Sequence, residues 1–321
     1  MDDLLTLKGQ EDALKYFNYL KLCVDKDIYY TREINIIKND FIYHNVAPIV
    51  EKSTKNDTVI LTNCDKDDIN LLNMINEFIN LYPYKTRIVN INDFNFSGGC
   101  LGCLNCAFDG KCVYKDGFDN YLRSEIQNAK AIVYAATIKD HSLGASFKLY
   151  DDRQFCNGHR AVTMGMPIGY ILSGIYSCEG NLRIIIEGRA NVGHNFLSGI
   201  ASDESHNNKE ILLSIKRLSD SLIYSIDNKM LLPQNFLGIG GMKIFRDLIY
   251  LMQGMMKADH KFYKEHNFYD FPQKKKGMKL KMKLIGFLMS KPKIRKKVQG
   301  QMNDIIIEPY TKAIESSLKK V

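Results

Sequence analysis

The chain has 321 residues, 45% hydrophobic and 25% charged, the balance of an ordinary globular protein with room for one large or two modest domains. Its first residues, Met-Asp-Asp-Leu-Leu-Thr-Leu-Lys, lack the basic start and apolar core of a leader, and no apolar run is long enough to span a bilayer, so a cytoplasmic protein is expected. The net charge of +8 belongs to one segment: eleven Lys or Arg and no acidic residue lie between Phe271 and Asn303, and the remainder carries −3.

In the first 55 residues, Glu11–Val24 and His44–Lys52 read as helices, and Ile28–Tyr43 has the texture of one or two strands. Residues 58–64, Thr-Val-Ile-Leu-Thr-Asn-Cys, form a short β-branched run typical of a buried parallel strand. A polar loop, Asp65 to Asp68, leads into a helical pattern through Ile69, Leu72, Ile75, Phe78 and Ile79, with Asp67 or Asp68 placed to cap it. Strands follow at Thr86–Ile91, Ala131–Ala136, Pro167–Ser173 and Phe196–Ile200. Helices are expected at Asp119–Ala129, Gly144–Phe155, from Glu179 onward and at Lys209–Ile226.

Strand and helix thus alternate with short links, the pattern of a parallel sheet covered on both faces. Such sheets bind ligands at the carboxyl ends of their strands. Here those ends carry the loops Asn63–Asp68, Thr137–Ser142 and Gly174–Gly180, together with a cysteine-rich loop. Beyond Lys229 the texture changes. Gly238–Gly241 reads as a loop, Met242–Lys257 as a helix, and His260 to Phe271 as an aromatic and histidine cluster. A basic stretch at 274–297 and a last helix at Pro309–Lys320 complete the chain.

Four of the eight cysteines, Cys100, Cys103, Cys106 and Cys112, share the spacing C-x2-C-x2-C-x5-C among glycines at 98, 99, 102 and 110. A tight, glycine-rich loop suits thiolates that surround an inorganic cluster. It is too compact for the paired knuckles of common zinc sites. Free loop thiols are the plainer alternative. No Gly-x-Ser-x-Gly elbow, His-Glu-x-x-His pair or Walker loop is present, which argues against hydrolases and NTPases.

The cysteine run, followed by Asp116 and then by Gly144-Ala-Ser-Phe-Lys148-Leu-Tyr-Asp-Asp152-Arg153, resembles the NADPH-dependent FMN reductase and iron–sulfur flavoprotein group of the flavodoxin-like superfamily over residues 56–228. The resemblance implies an α/β, flavodoxin-like fold: a five-stranded parallel sheet with helices on both faces, here with an N-terminal extension (1–55) and a helical, basic C-terminal extension (229–321). It also implies a flavin-dependent oxidoreductase, with FMN, a [4Fe–4S] cluster on the four cysteines and NAD(P)H as electron donor.

Carried over by position, the flavin loops are Asn63, Lys66 and Asn70 after the first strand, Ala136, Thr137, Ile138 and His141 after the third, and Ser173 and Gly174 after the fourth. The first loop departs from the family's pattern, with Asp65, Asp67 and Asp68 in place of glycines. A phosphate cradle depends on backbone N–H groups and positive potential at a helix N-terminus, and carboxylates oppose it. A flavodoxin-like binding or assembly module without FMN, and a flavoprotein using its thiols as a redox switch, therefore stand as alternatives.

Lys148 and Arg153 read either as flavin-orienting groups or as partners of Asp151 and Asp152 along their helix. Cys23, Cys64, Cys156 and Cys178 read as structural thiols. The cluster at 260–271 reads as packing of the extension, or as a roof over a flavin. For the basic stretch 274–297, a solvated helix, an anionic membrane surface and, least favoured, nucleic acid are the candidate readings. A redox partner protein or small-molecule acceptor and a homo-oligomer are further expectations of the resemblance.

Overall fold

A computed structural model describes residues 4–28, 41–54, 57–233, 235–269 and 275–318. The chain divides into two compact units. One comprises residues 1–39, 101–103 and 291–321, and within it lie helices α1 (Leu7–Asp25) and α11 (Pro292–Leu318). Helix α1 is capped by Thr6, whose hydroxyl accepts from the Gly9 N–H at 3.0 Å.

The other unit, residues 40–100 and 104–290, carries the sheet. Its elements run β1 (Thr58–Thr62), α2 (Ile69–Leu81), β2 (Thr86–Asn90), α3 (Asn105–Asp109), α4 (Phe118–Tyr121), β3 (Ala131–Thr137), α5 (Gly144–Arg153), β4 (Ile168–Ser173), α6 (Gly180–Val192), β5 (Leu197–Ser202), α7 (Asn208–Asp227), α8 (Phe236–Leu251), α9 (Lys257–Glu265) and α10 (Lys276–Met289). All strand pairings are parallel, in the order β2-β1-β3-β4-β5. This is the flavodoxin-like order, with its switch point between β1 and β3. The expected fold is the observed one.

Alternation along the strands divides the core. Val59, Leu61, Ile132, Ala136 and Leu172 face α5 and α6, where Phe147, Tyr150, Leu182 and Ile186 cover them. Ile60, Val133 and Ile171 face α2 and α7, against Met74, Phe78, Ile215 and Leu222. Each such aliphatic side chain, fully buried, contributes about 1.5–3 kcal/mol.

Several expectations need correction. Residues 44–52 form no helix; residues 41–53 are a strap without regular secondary structure that runs along α2. The strap is held by a polar stripe on that helix. Asn70 accepts from Tyr43 N–H at 2.9 Å and donates to Phe41, Asn73 donates to Tyr43, and the buried Glu77 accepts from Val46 and Ala47 N–H at 2.7 and 2.8 Å. The spacing Asn70, Asn73, Glu77, Asn80 was the available signal, because i, i+3 and i+7 share one face. The strands expected within Ile28–Tyr43 lie mostly outside the described residues, and 41–43 are not in a strand.

Gly238–Gly241 is not a loop but the first turns of α8, capped by Asn235, whose side chain accepts from Gly238 N–H. A Cβ at Gly241 would come within 2.7 Å of Val192, so glycine serves helix approach here rather than chain reversal. The last helix begins at Pro292 and runs through Pro309 instead of starting there. After α8 the chain passes Gly254, which crosses α10 at Gly286. A Cβ on either would overlap backbone atoms of the other segment, so neither position admits a side chain.

Candidate functional site at the carboxyl edge of the sheet

At the switch point, the loops after β1 and β3 meet through Asp68, Thr137 and Lys139, of which only Thr137 was expected among the flavin residues. Asp68, at the start of α2, makes no capping bond to its own helix. Instead one carboxylate oxygen accepts from the Asp65 backbone N–H at 2.9 Å. The other accepts from the Thr137 hydroxyl at 2.9 Å and lies 3.7 Å from the Lys139 ammonium. A backbone N–H, a hydroxyl and an ammonium thus converge on a single anion at the N-terminus of α2, and that anion is the protein's own carboxylate.

The surrounding loop is firmly built. Asn63 is buried and donates to Leu143 O at 3.0 Å, while Asn92 and Asn90 donate to the backbone oxygens of Asn63 and Cys64 at 2.9 Å each. Burial, reinforced by Asp68 and Asp65, pushes the Cys64 thiol up to about 11, which makes it a poor nucleophile at neutral pH.

The remaining expected flavin residues fall in different places. Ala136 is fully buried within β3. Ile138 packs beside Gly174. Asp203, at the end of β5, accepts from the Ser173 hydroxyl and the Gly174 N–H, each at 2.7 Å. His141 is an exposed side chain facing Glu179 at 3.1 Å. Lys66 is exposed. Asn70 is committed to the N-terminal strap, away from the Asp68 cluster. The edge therefore gathers Asn63, Thr137, Ser173 and Gly174, with Asp68, Lys139 and Asp203 as groups the sequence reading had not put to this use.

The cysteine loop is held by three arginines. Arg153 is 1% exposed and forms a two-pronged pair with Asp116 at 2.8 Å for both contacts, while also donating to Gly98 O at 3.0 Å. Its guanidinium lies over the Tyr114 ring, 4.5 Å from the centroid. Arg153 hydrogen bonding, helped by the Ser97 and Phe118 N–H groups, holds the Asp116 carboxyl well below the usual carboxylate range. The expected pairing of Arg153 with Asp151 and Asp152 is thus replaced. Lys148 takes Asp152, and Arg189 takes Asp151. Arg123 donates to Gly110 O at 2.9 Å, and Arg160 to Cys106 O at 3.1 Å.

Arg160 also pairs with Asp259 at 3.2 Å; this fully buried carboxylate additionally accepts from the His159 backbone N–H and faces His159 Nδ1 at 3.0 Å. Helix α9 thereby docks on α3, with Met256, Tyr263 and Ile249 packed around Ala107. The aromatic cluster, as far as Tyr269, is packing of the extension onto the sheet-bearing unit.

Cys106 Sγ donates to Phe155 O at 2.9 Å, Cys112 N–H donates to Asp119 at 3.3 Å, and Cys100 is exposed. Among the described residues, no three of His, Cys, Asp and Glu come together in a way that could hold a metal ion. The buried Cys156 thiol is pushed up to about 12 by burial, partly opposed by Arg123.

No family model matches the chain, and no curated protein matches it. Solved structures similar to it include an FMN-dependent NADH-azoreductase from Bacillus anthracis in complex with FMN (12% identical, covering 53% of this chain and 100% of that one, TM-score 0.37). Another is an NAD(P)H:quinone oxidoreductase from Methanothermobacter marburgensis (14%, 53% and 96%, TM-score 0.39). A third is RosB with bound 8-demethyl-8-formylriboflavin-5'-phosphate (10%, 60% and 87%, TM-score 0.41). The flavodoxin-like assignment rests on the strand order, not on these likenesses.

Proposed function

We propose that the chain is a flavodoxin-like redox protein that takes FMN at the β1–β3 edge, with the flavin phosphate replacing the Asp68 carboxylate among its donors. The observation that carries this reading is the convergence of Asp65 N–H, Thr137 hydroxyl and Lys139 ammonium on one anion. That donor set is what a phosphate at a helix N-terminus requires. When bound, a flavin supplies one- and two-electron transfer chemistry. The chain's own part is to hold the phosphate through Asp65, Thr137 and Lys139 and to fix the edge through Asn63 and Asp203. NAD(P)H, expected from the resemblance, is the electron donor to be tried. The iron–sulfur part of that expectation draws no support from the placement of the thiols, and no step is assigned to it.

Asp68 competes with the phosphate it stands in for, and Asp65 and Asp67 add like charge. Asp68→Ser, which leaves the donors free and removes one negative charge, is expected to tighten FMN binding by about ten- to a hundredfold, the worth of one charge-assisted hydrogen bond. Quenching of FMN fluorescence on titration of wild type and variant measures it. If neither protein binds FMN, the reading fails. The alternative, a flavodoxin-like binding module whose anion site is permanently satisfied by Asp68, then takes its place.

We also propose that α10 contacts anionic membrane surfaces. Leu280, Leu284 and Phe287 are 72%, 63% and 67% exposed on one stripe of that helix, among Lys276, Lys281 and Lys283. No helix among the described residues is long and apolar enough to cross a membrane, so the contact would be peripheral. Co-sedimentation is expected with vesicles containing phosphatidylserine and not with pure phosphatidylcholine, and Leu284→Asp should abolish it. Equal recovery with both vesicle types would remove the proposal.

A further inference from the structure

On the opposite side of the sheet-bearing unit from the strap, a groove of about 790 Å³ opens between α5 and α6. Its floor is the sheet face itself. It extends from Leu143, near the carboxyl edge, to Ile132 and Ile168 at the amino ends of β3 and β4, so most of it lies away from the Asp68 cluster. The volume falls within the range of small-molecule sites.

Two observations say what would fit. Tyr134 and Tyr170 are register partners on adjacent strands, their rings stacked at 5.0 Å and 21°, and both line the groove. Tyr134 is half-buried and Tyr170 buried, and neither phenol oxygen has a hydrogen-bond partner among the described residues, so each is a donor not yet committed within the protein. Burial raises both phenols, Tyr134 to about 12, so each remains a donor at neutral pH.

The second observation is charge balance. Asp151 and Arg189 join α5 to α6 across the groove in a two-pronged pair, Lys148 is matched by Asp152, and Arg160 by Asp259. Every one of these charged lining groups has its counter-ion within the protein. A charged ligand would find no unmatched partner there, whereas an uncharged one would meet apolar walls at Phe147 and Leu182 with donors on the floor.

We infer that this groove is a second binding site, for an uncharged, ring-containing small molecule whose carbonyl or ether oxygen accepts from Tyr134 and Tyr170. It is separate from the flavin edge and does not depend on FMN binding.

Prodan, a neutral naphthyl ketone whose emission moves to the blue in apolar surroundings, is a suitable probe. Titrated into the full chain, it should bind saturably at one site with blue-shifted emission. The double variant Tyr134→Phe/Tyr170→Phe keeps the shape and loses both hydroxyls, and should weaken binding about tenfold. Val162→Trp, at an exposed lining position, should crowd the groove and weaken binding while the circular dichroism spectrum stays that of wild type. Saturating FMN should leave the probe in place. Absence of saturable binding by folded wild type, unchanged affinity in the double Phe variant or in Val162→Trp, or displacement by FMN would each overturn the assignment.

Discussion

Arg153→Met lowers the stability of the sheet-bearing unit by about 3–5 kcal/mol, the largest single effect expected in this chain. The substitution keeps the apolar stem of a side chain that is 1% exposed but strands the Asp116 carboxylate, 6% exposed, with only the Ser97 and Phe118 N–H groups as partners. It also removes the donor to Gly98 O and the cation over Tyr114. At a few degrees per kcal/mol for a domain of this size, the melting temperature should fall by about 10 °C.

The same pair sets a pH dependence. Because the Asp116 carboxyl is held below its ordinary value when folded, its contribution is fully present above the unfolded value near 4 and is lost as pH falls below that. Wild type should therefore lose stability below about pH 4 more steeply than Asp116→Asn, read by urea denaturation at several pH values. Parallel pH profiles for the two would contradict the assignment of this pair.

Asp259→Leu is the second large effect, about 3–5 kcal/mol for removing one partner of a buried charge pair. Asp259 is fully buried, and its loss leaves Arg160, 10% exposed, without its carboxylate, while the His159 N–H loses its acceptor. The damage should be local, because the contacts of Asp259 join α9 to residues 159 and 160 and, through Arg160, to Cys106. Amide hydrogen exchange should show lost protection in α3 and α9 with β1, β3 and β4 unchanged. Uniform loss across the sheet would mean that α9 is a full part of the core rather than an element docked on it.

The centre of the sheet was legible because β1, β3 and β4 are short apolar runs between polar loops, the trace a buried parallel strand leaves in sequence, whereas the edge strands β2 and β5 are more polar and only partly buried. The strap at 41–53 was not, because its partners are side chains on α2: Asn70, Asn73 and Glu77 set the path of residues that have no regular structure of their own. Gly238–Gly241 misled because Gly241 answers the nearness of Val192, a tertiary fact.

At the site, spacing located the right loops but not the right contacts. Asp68 looked like a helix cap and a repulsive charge. Only the fold, by bringing Thr137 and Lys139 beside it, shows that the donors for an anion are present and already engaged. Arg153 was read as a flavin-orienting group or as a partner of Asp151 and Asp152; helix geometry already disfavours neighbours one and two positions away, but only the fold reveals Asp116, 37 positions away in the chain and joined to it by two hydrogen bonds.

The central claim is that a flavin phosphate takes the place of the Asp68 carboxylate. It is tested most directly by proton–nitrogen correlation spectra of the labelled protein, titrated in parallel with FMN and with riboflavin, which lacks the phosphate. FMN should move the Asp65 and Thr137 amide signals, and riboflavin should leave the Asp65 signal where it was. Binding of FMN with no change at Asp65, or the same change with both ligands, would contradict it.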